Sequence, residues 1–337
     1  MDSKTKFEII TRNLQEVVGE EELKKILKER NPKVYLGAAP TGKPHVGYFV
    51  TVMKLADFLK AGCEVTCLFA NLHAYLDNMK SNWELLEKRT EYYELVFKEM
   101  LKVVGAPLDK LKFVEGTDFQ LKEKYTLDMY KMSALTTTRD TVRAGAEVVK
   151  QVDTPKMSSL LYPLLQGLDE EYLGVDIQYG GVDQRKIFML AREFLPKIGY
   201  KKRIHLMSPL IPGLGESGKM SSSEPNSKID FEDTDKQIRK KINKAYCKDG
   251  ELDNGLLPLC KYLIFSRIEG DFIIKRPEEY GGDIGFKNYE ELEKAFESKK
   301  LSSIDLKQGV SEEIIKMVSP VRKALEKHAV LTQEAYP

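Results

Sequence analysis

Short apolar runs alternate with helical patterns along the first two thirds of the chain. The runs lie at residues 34–37, 65–70, 112–114, 175–179 and 204–207. Most of them are short and largely apolar without strict alternation, which is typical of strands buried on both faces of a parallel sheet. The order of elements therefore predicts an α/β fold with a doubly wound parallel sheet. Such sheets bind ligands beyond the carboxyl ends of their strands, so each loop that follows a strand is a candidate site.

The pattern differs at the two ends of the chain. Helical spacing of apolar residues over 7–18 predicts an opening helix. Beyond Pro225 strand-like runs are hard to find, and helical patterns dominate. They cover residues 235–246, 256–265, 289–296 and 311–327. We therefore place a domain boundary near residues 226–232, with a helical domain behind it.

Composition narrows the class of protein. The 337 residues contain 42% hydrophobic and 31% charged residues, which is globular composition and suggests about two domains. Lys and Arg (53) nearly balance Asp and Glu (52), so any nucleic-acid surface must be a local patch. No apolar run is long enough for a membrane span, and the N-terminus does not resemble a signal peptide. Four cysteines without metal-ligand spacing argue against a zinc site or a disulfide scaffold. These features predict an intracellular protein.

The loop after the first apolar run has competing interpretations. Gly37-Ala38-Ala39-Pro40-Thr41-Gly42-Lys43-Pro44 is nearly a P-loop, but Pro44 replaces the hydroxyl residue that ligates magnesium. A helix that begins near His45, directly after a strand, would instead direct its N–H groups toward an anion. Thr41 and His45 would add donors, and Gly47 would let a ribose or purine approach the backbone. An ordinary helix start with an incidental histidine remains the simpler alternative.

A second loop contains Gly213-Leu214-Gly215-Glu216-Ser217-Gly218-Lys219-Met220-Ser221-Ser222-Ser223. A flexible loop rich in glycine and hydroxyl groups, with one lysine, can close over a polyphosphate and neutralise it. Glycine- and serine-rich segments are also common as exposed linkers. The string Lys-Met-Ser-Ser-Ser favours the phosphate-binding interpretation.

A polar stripe lies in the segment Leu161-Tyr162-Pro163-Leu164-Leu165-Gln166-Gly167-Leu168-Asp169. Tyr162, Gln166 and Asp169 fall at i, i+4 and i+7, which places them on one helix face while the leucines serve the core. A solvated face is the alternative, but solvated faces generally use Lys and Glu. A phenol, an amide and one carboxylate are more typical of a binding site. Tyr35, on the first apolar run, can face the same crevice.

These motifs together resemble those of a known family. Residues 40–48 resemble the HIGH motif of class I aminoacyl-tRNA synthetases, and Lys219, Met220, Ser221, Ser222 and Ser223 resemble their KMSKS loop. The resemblance extends along the chain through residues 72–76, 179–186 and 281–283, and is to the tyrosyl-tRNA synthetases of archaeal and eukaryotic cytoplasmic type. One departure is Tyr48, which stands where the motif has its second histidine. A ribose contact by that imidazole is therefore not carried over.

The resemblance implies a domain organisation. Residues 1–228 would form a Rossmann-like catalytic domain with an inserted connective segment and a KMSKS-type loop at 213–225. Residues 229–337 would form a helical anticodon-binding domain. A cytoplasmic homodimer would follow from the same resemblance.

The resemblance also implies roles for individual residues. Tyr35 and Asp169 would hydrogen-bond the phenol of L-tyrosine, and Tyr162, Gln166 and Gln184 would hold its ammonium and carboxylate end. Thr41, His45, Lys219 and Ser222 would stabilise the phosphates, within a HIGH-type motif that includes Pro40 and Tyr48. Gly47, Asp183, Met207 and Met220 would contact ATP. Tyr280 would stack on the first anticodon base, and Asp305 would read it as guanine.

The reaction implied is the two-step ligation of L-tyrosine to tRNA(Tyr). Tyrosine attacks ATP to give tyrosyl-adenylate and pyrophosphate, with Mg²⁺ on the phosphates and no protein-bound metal, and the 3′-terminal ribose of tRNA then takes the tyrosyl group. A tryptophanyl-tRNA synthetase is the nearest competing hypothesis, against which Tyr35 and Asp169 favour a phenol. A catalytically idle RNA-binding relative and a P-loop ATPase are more distant hypotheses.

Overall fold

A six-stranded sheet forms the centre of the first part of the chain, in a computed structural model that describes residues 1–149, 156–215, 220 and 227–337. Its strands are β1 (Glu16–Val18), β2 (Lys33–Ala38), β3 (Glu64–Phe69), β4 (Leu111–Glu115), β5 (Ile177–Gly181) and β6 (Ile204–Ser208). Their order is β1-β6-β5-β2-β3-β4, and all neighbours are parallel except β1 and β6. The predicted α/β fold is therefore confirmed, with an antiparallel edge strand added.

Helices connect and cover these strands. They are α1 (Ser3–Thr11), α2 (Glu20–Glu29), α3 (Tyr48–Lys60), α4 (Asn71–Leu76), α5 (Leu86–Val103), α6 (Thr117–Gln120), α7 (Glu123–Leu135), α8 (Thr138–Gly145), α9 (Met157–Tyr172) and α10 (Arg185–Phe194). Short 3₁₀ turns lie at Trp83–Leu85, Val182–Gln184 and Leu195–Ile198. A second hydrophobic cluster fills the space between α7, α8, α9 and α10.

The predicted opening helix over 7–18 is wrong in its second half. The helix ends at Thr11 because Asn13 adopts a left-handed backbone conformation, with φ of 59°. The chain then pairs with β6, beginning with the hydrogen bond from the Gln15 N–H to the Met207 carbonyl at 2.8 Å. The adjacent β-branched residues Val17 and Val18 suit a strand.

The last hundred residues are mainly helical, as predicted. The helices are α11 (Asp235–Lys244), α12 (Leu256–Leu259), α13 (Phe265–Arg267), α14 (Tyr289–Glu297), α15 (Ser303–Lys327) and α16 (Ala329–Ala335), with a π-helical turn at Cys260–Ile264 and a 3₁₀ turn at Glu278–Tyr280. Sequence analysis missed an antiparallel pair of three-residue strands, β7 (Phe272–Ile274) and β8 (Ile284–Phe286). The last long helix also begins at Ser303 rather than near residue 311.

The helical part packs directly on the sheet-containing part. One hydrophobic cluster contains side chains from β2, β3, α3 and α5 as well as from α11 and α15. The Phe49 ring of α3, for example, contacts the ring of Phe231 edge to face, with centroids 5.7 Å apart. Among the described residues, no helix combines the length and the apolar character that crossing a bilayer requires.

Candidate active site

A cavity of about 390 Å³ opens where the direction of strand order reverses. From β2 the chain passes to β3 on one side, whereas β5 lies on the other side of β2. This is the topological switch point at which open α/β sheets bind ligands. The predicted site residues on its wall are Tyr35, Thr41, His45, Gly47, Tyr48, Tyr162, Gln166, Asp169, Asp183, Gln184 and Met220. The fold thus brings together residues that lie as much as 185 positions apart (220 − 35).

Among these side chains, Asp169 is held by hydrogen bonds from two other elements. It is almost completely buried on α9, and its Oδ1 atom accepts hydrogen bonds from the Gln120 Nε2 and the Tyr125 hydroxyl, both at 2.8 Å. Its Oδ2 atom lies 3.8 Å from His73 Nε2, which is beyond hydrogen-bond distance. One carboxylate oxygen is therefore committed to the protein, and the other is available to a ligand.

Burial determines the protonation of this group. Burial raises the pKa of Asp169 to about 7, and the neighbouring charge of Glu170 adds to this shift. The hydrogen bonds from Gln120 and Tyr125 oppose it by stabilising the carboxylate. Burial also lowers the pKa of His73 to about 3, so that ring is neutral at pH 7. This end of the cavity thus contains one carboxyl group that titrates near neutrality.

Tyr35 lies beside this carboxylate. Its side chain is fully buried in the middle of β2, and its hydroxyl donates to the Gln166 carbonyl at 3.2 Å. Burial, followed by the charge of Asp169, raises the pKa of Tyr35 well above its ordinary value. A neutral phenol next to an open carboxylate oxygen can give a guest hydroxyl both a donor and an acceptor once the Tyr35 proton turns from the Gln166 carbonyl to the guest.

A chain of amides continues from this end toward the mouth. The Gln166 Nε2 donates to the Gln184 Oε1 at 3.1 Å, and the Gln184 Nε2 donates to the Asp183 Oδ1 at 3.3 Å. Gln184 and Asp183 belong to the 3₁₀ turn that follows β5. The polar face of α9 lines the cavity, and hydrogen bonds connect it to the loop that follows β5.

His45 occupies the opposite side of the cavity as a neutral ring. Burial, followed by the nearby charge of Lys228, lowers its pKa to about 4. The Gly47 N–H donates to the His45 Nδ1 at 3.2 Å, so the single proton of the neutral ring lies on Nε2. A side chain at position 47 would place its Cβ 2.9 Å from His45 Cε1 and 3.2 Å from Met220 Sδ. Glycine is thus required to keep this imidazole in place.

Tyr48, at the departure from the HIGH motif, packs against that imidazole. The two rings meet edge to face with centroids 5.3 Å apart. The Tyr48 hydroxyl lies 3.4 Å from the Tyr93 hydroxyl, which donates to the Gly42 carbonyl at 2.6 Å. Tyr48 therefore connects the histidine to the preceding loop.

The P-loop interpretation is not supported. Lys43 would have to reach phosphate, but its Nζ pairs with the Glu232 carboxylate at 2.8 Å and it is absent from the cavity wall. The loop is supported instead by Arg89, whose Nη1 donates to the Thr41 carbonyl at 3.0 Å.

Some predicted residues lie elsewhere or outside the described ranges. Met207 is fully buried within β6, and its neighbour Ser208 rather than Met207 lines the cavity. Pro40 is buried behind the loop. Lys219, Ser221, Ser222 and Ser223 fall outside the described residues.

Several polar residues of the cavity were not predicted from the sequence. His73 and Gln178 line its wall, and Gln120 and Tyr125 bind Asp169 from behind. The Gln178 Oε1 is buried on β5, next to Tyr35 in the sheet register, and has no hydrogen-bond partner among the described residues. The signal for Gln178 is a polar residue that, with Asp176, alternates with apolar residues at 175–179.

The proposed RNA-contacting residues lie far along the chain, in the helical part. Tyr280 is 68% exposed at the end of a 3₁₀ turn, between β7 and β8. Asp305 lies in the first turn of α15, where the Ser302 hydroxyl donates to its Oδ2 at 2.9 Å. Neither residue lines the cavity.

Known proteins are similar to this chain in sequence and in fold. The family model of class I tRNA synthetases for tryptophan and tyrosine matches residues 27–319. The cytoplasmic tyrosine–tRNA ligase of Danio rerio is 57% identical over 98% of this chain, which spans 63% of that relative's length. The tyrosine–tRNA ligase of Haloarcula marismortui is 46% identical, with 100% of this chain and 98% of the relative covered.

Structural similarity agrees with these matches. The crystal structure of the tyrosyl-tRNA synthetase of Archaeoglobus fulgidus, complexed with L-tyrosine, is 39% identical in sequence with a TM-score of 0.90. The match covers 96% of this chain and 100% of that one. With this similarity extending over the sheet, the cavity and the C-terminal helices alike, the chain belongs to the class I tRNA synthetases of the tryptophan and tyrosine type, in their tyrosine–tRNA ligase branch.

Proposed function

We propose that this chain ligates L-tyrosine to tRNA(Tyr) through a tyrosyl-adenylate. The observation that carries the proposal is that the open Asp169 oxygen and the buried Tyr35 hydroxyl belong to the wall of the same cavity. The phenol of tyrosine donates to Asp169, and it accepts from Tyr35 when the single proton of that hydroxyl turns from the Gln166 carbonyl to the substrate. Phenylalanine leaves the open Asp169 oxygen without a donor, and a buried polar group left unpaired is the basis on which tyrosyl-tRNA synthetases reject it.

The amino and carboxylate end of tyrosine lies along the amide chain. Tyr162, Gln166 and Gln184 contact the ammonium group and orient the carboxylate toward ATP. Because that carboxylate is already ionised at pH 7, activation needs no general base. The enzyme's task is to position the carboxylate against the α-phosphate and to stabilise the charge on departing pyrophosphate.

His45 supplies a fixed donor for that charge. With Nδ1 occupied by the Gly47 N–H, the neutral ring presents its Nε2–H to a phosphate oxygen. Thr41, Lys219 and Ser222 act with it on the phosphates. Gly47, Asp183 and Met220 contact ATP, whereas Met207 contributes no side chain to the wall.

Mg²⁺ accompanies ATP in this proposal. Within the described part of the chain, no group of three or more His, Cys, Asp or Glu side chains is suited to hold a metal ion. In this proposal the ATP phosphates are its ligands, and the ion would neutralise charge on the departing pyrophosphate. After activation, the 3′-terminal ribose of tRNA attacks the adenylate, giving tyrosyl-tRNA and AMP.

ATP–pyrophosphate exchange with each of the twenty amino acids tests this function. We expect exchange that depends on tyrosine, and transfer of tyrosine to a tRNA(Tyr) transcript. Tryptophan-dependent exchange would indicate the sister specificity, and ATP hydrolysis without any amino acid would indicate an ATPase. RNA binding without exchange would indicate a catalytically idle relative.

We propose that Tyr280 and Asp305 read the first anticodon base. Tyr280→Ala is expected to weaken charging of all anticodon variants by roughly 1–3 kcal/mol, because a stacking ring serves every base. Asp305→Ala is expected to reduce the preference for guanine at that position, because a base-edge acceptor is lost. Charging of anticodon-substituted transcripts measures both effects, and tyrosine-dependent exchange should be unchanged.

Glu279→Ala is the matched control for this pair. It removes an exposed carboxylate from the same turn without removing a ring or the Asp305 acceptor. Its guanine preference should equal that of the parent protein. If Tyr280→Ala or Asp305→Ala lowers exchange and charging in parallel, together with the melting temperature, the residue serves packing rather than the anticodon.

We propose that the chain forms a homodimer through α7. Leu127 and Tyr130 expose 52% and 68% of their surface on the side of α7 opposite its buried residues, and Leu135, at the end of the helix, is 46% exposed. Leu121, just before α7, and Val142, in α8, are exposed apolar residues of the neighbouring segments. Large apolar patches on globular surfaces generally mark interaction sites.

Tyr130→Asp is expected to dissociate this dimer, because a charge in an apolar interface is left unpaired. Sedimentation equilibrium should give the mass of two chains for the parent protein and of one chain for the variant. Ile273→Asp, a substitution of an exposed apolar residue in β7, is the matched control and should leave the mass unchanged. A parent protein with the mass of one chain would contradict the proposal.

We also propose a cytoplasmic location, which is the location named for the Danio rerio relative.

A further inference from the structure

Arg276 connects the Tyr280 turn to the first turn of α15. It follows β7, and its side chain is only 12% exposed although the turn beside it is open to solvent. Its Nε donates to the Gly282 carbonyl at 2.8 Å, and its Nη1 lies 3.8 Å from Asp305 Oδ2. One guanidinium therefore contacts both segments that carry the proposed base-reading residues.

The turn itself depends on this contact. Gly281 and Gly282 both adopt left-handed conformations, with φ of 91° and 67°, which only glycine adopts readily. The two glycines have no side chains, so contacts of neighbouring residues, among them Asp283 with Lys275, hold this turn against the rest of the fold. The Arg276 N–H also donates to the Asp283 Oδ1 at 3.2 Å, so Arg276 contacts the turn through backbone and side chain alike.

The same guanidinium lies within ion-pair range of the Asp305 carboxylate. Rotation of an aspartate carboxylate about its last torsion is soft, so an isolated side chain would not direct its oxygens uniquely. Here Oδ2 accepts a hydrogen bond from the Ser302 hydroxyl at 2.9 Å, and the Arg276 Nη1 attracts the same oxygen across 3.8 Å without a hydrogen bond. Oδ1 has no hydrogen-bond or ion-pair partner among the described residues and is free to accept from a base.

Electrostatics supply a second reason for an arginine at this point. An unpaired carboxylate on a surface that receives RNA would repel the phosphate backbone. The guanidinium offsets this repulsion at short range and leaves the acceptor capacity of Oδ1 unchanged.

We propose that Arg276 is a positioning residue for recognition of the first anticodon base. It fixes the Tyr280 ring and the open Asp305 oxygen in one frame, so that a guanine can stack on the ring while its Watson–Crick edge donates to the carboxylate. The inference rests on the proposed anticodon role of Tyr280 and Asp305.

The test is charging of four tRNA(Tyr) transcripts that differ only in the first anticodon base. Arg276→Ala is expected to reduce the preference for guanine about 5- to 150-fold, the loss associated with one base-edge contact. It should also lower kcat/KM for all four transcripts, mainly through KM, because the Tyr280 turn is released. Tyrosine-dependent exchange should be unchanged.

Two further variants separate positioning from folding. Arg276→Lys retains a positive charge beside Asp305 but loses the second guanidinium nitrogen that reaches Gly282. Guanine preference should therefore return toward that of the parent protein, whereas the loss of kcat/KM for all four transcripts should remain. Arg267→Ala removes another arginine–carboxylate pair of the helical part, with Glu313 at 2.8 Å, and should leave guanine preference intact. Combining Arg276→Ala with Asp305→Ala should reduce the preference no further than Asp305→Ala alone.

The outcomes distinguish the positioning role of Arg276 from the proposed anticodon role of Tyr280 and Asp305. If Asp305→Ala reduces guanine preference and Arg276→Ala does not, Arg276 has no positioning role. If neither variant changes guanine preference, the anticodon role of Asp305 fails, and the inference fails with it. If Arg276→Ala and Arg276→Lys both lose exchange along with charging, Arg276 serves folding and the inference is wrong.

Discussion

Asp169→Asn is expected to stabilise the protein while lowering its selectivity for tyrosine over phenylalanine by roughly 10- to 150-fold. The loss corresponds to about 1.5–3 kcal/mol for a hydrogen bond to a charged group. Asparagine retains an oxygen that can accept from Gln120 and Tyr125, but it replaces the open oxygen with an amide nitrogen. The measurement is kcat/KM for ATP–pyrophosphate exchange with each amino acid.

The gain in stability depends on pH in a defined direction. The pKa of Asp169 lies near 7 in the folded protein, above its ordinary value of 3.8, so the folded state retains a proton that the unfolded state has lost. The contribution of this group to stability therefore falls as pH rises from about 4 to about 7. Asp169→Asn removes this dependence, so its advantage in melting temperature should be larger at pH 8 than at pH 5.

Asp128→Asn is the matched control. Asp128 is equally buried, but hydrogen bonds from Lys131, Tyr200 and Tyr172 outweigh burial and lower its pKa. Its replacement should lower stability at neutral pH and leave amino-acid selectivity unchanged. Unaltered selectivity in a folded Asp169→Asn protein would show that the phenol binds elsewhere.

His45→Ala is expected to slow adenylate formation about 10²- to 10³-fold, the effect of removing one preorganised donor to a developing charge. Tyrosine affinity should be retained, because His45 faces the phosphates and not the amino acid. Pre-steady-state formation of the adenylate, together with equilibrium binding of tyrosine, measures the two quantities separately. Comparable losses in both would contradict the assignment.

Variants and pH refine this prediction. His45→Gln, whose amide nitrogen reaches toward the Nε2 position, should recover part of the rate. His328→Ala, which replaces an exposed histidine in the C-terminal helices, should leave it unchanged. Because burial holds the pKa of His45 near 4, the ring remains neutral above pH 5, and the rate should show no titration of this group between pH 5.5 and 8.

The polar face of α9 could be predicted because a period of 3.6 residues fixes which side chains share a helix face. The support around Asp169 could not, because Gln120 and Tyr125 lie 49 and 44 residues away in sequence. Their convergence depends on how α6 and α7 pack against α9, which no local pattern encodes. The same reason applies to Arg276, whose partner Asp305 lies on another element.

Errors in the predicted elements have local causes. Apolar residues at 7–18 satisfy helical spacing, but one left-handed residue, Asn13, redirects the chain into the edge strand β1. Strands β7 and β8 have three residues each, too few to establish a period of two. Met207 stays off the cavity wall because adjacent residues on a strand face opposite sides, and Ser208 takes that place.

The hydrophobic cluster shared by the sheet and the helices α11 and α15 has a consequence for how the protein loses its structure. A core that crosses the predicted boundary near residue 228 cannot be divided without exposing apolar faces on both sides. We therefore expect a single cooperative unfolding transition, in which amino-acid activation and anticodon recognition disappear together. Destabilising substitutions in the helical part would then reduce adenylate formation through the folded fraction alone, with no contact to the catalytic cavity.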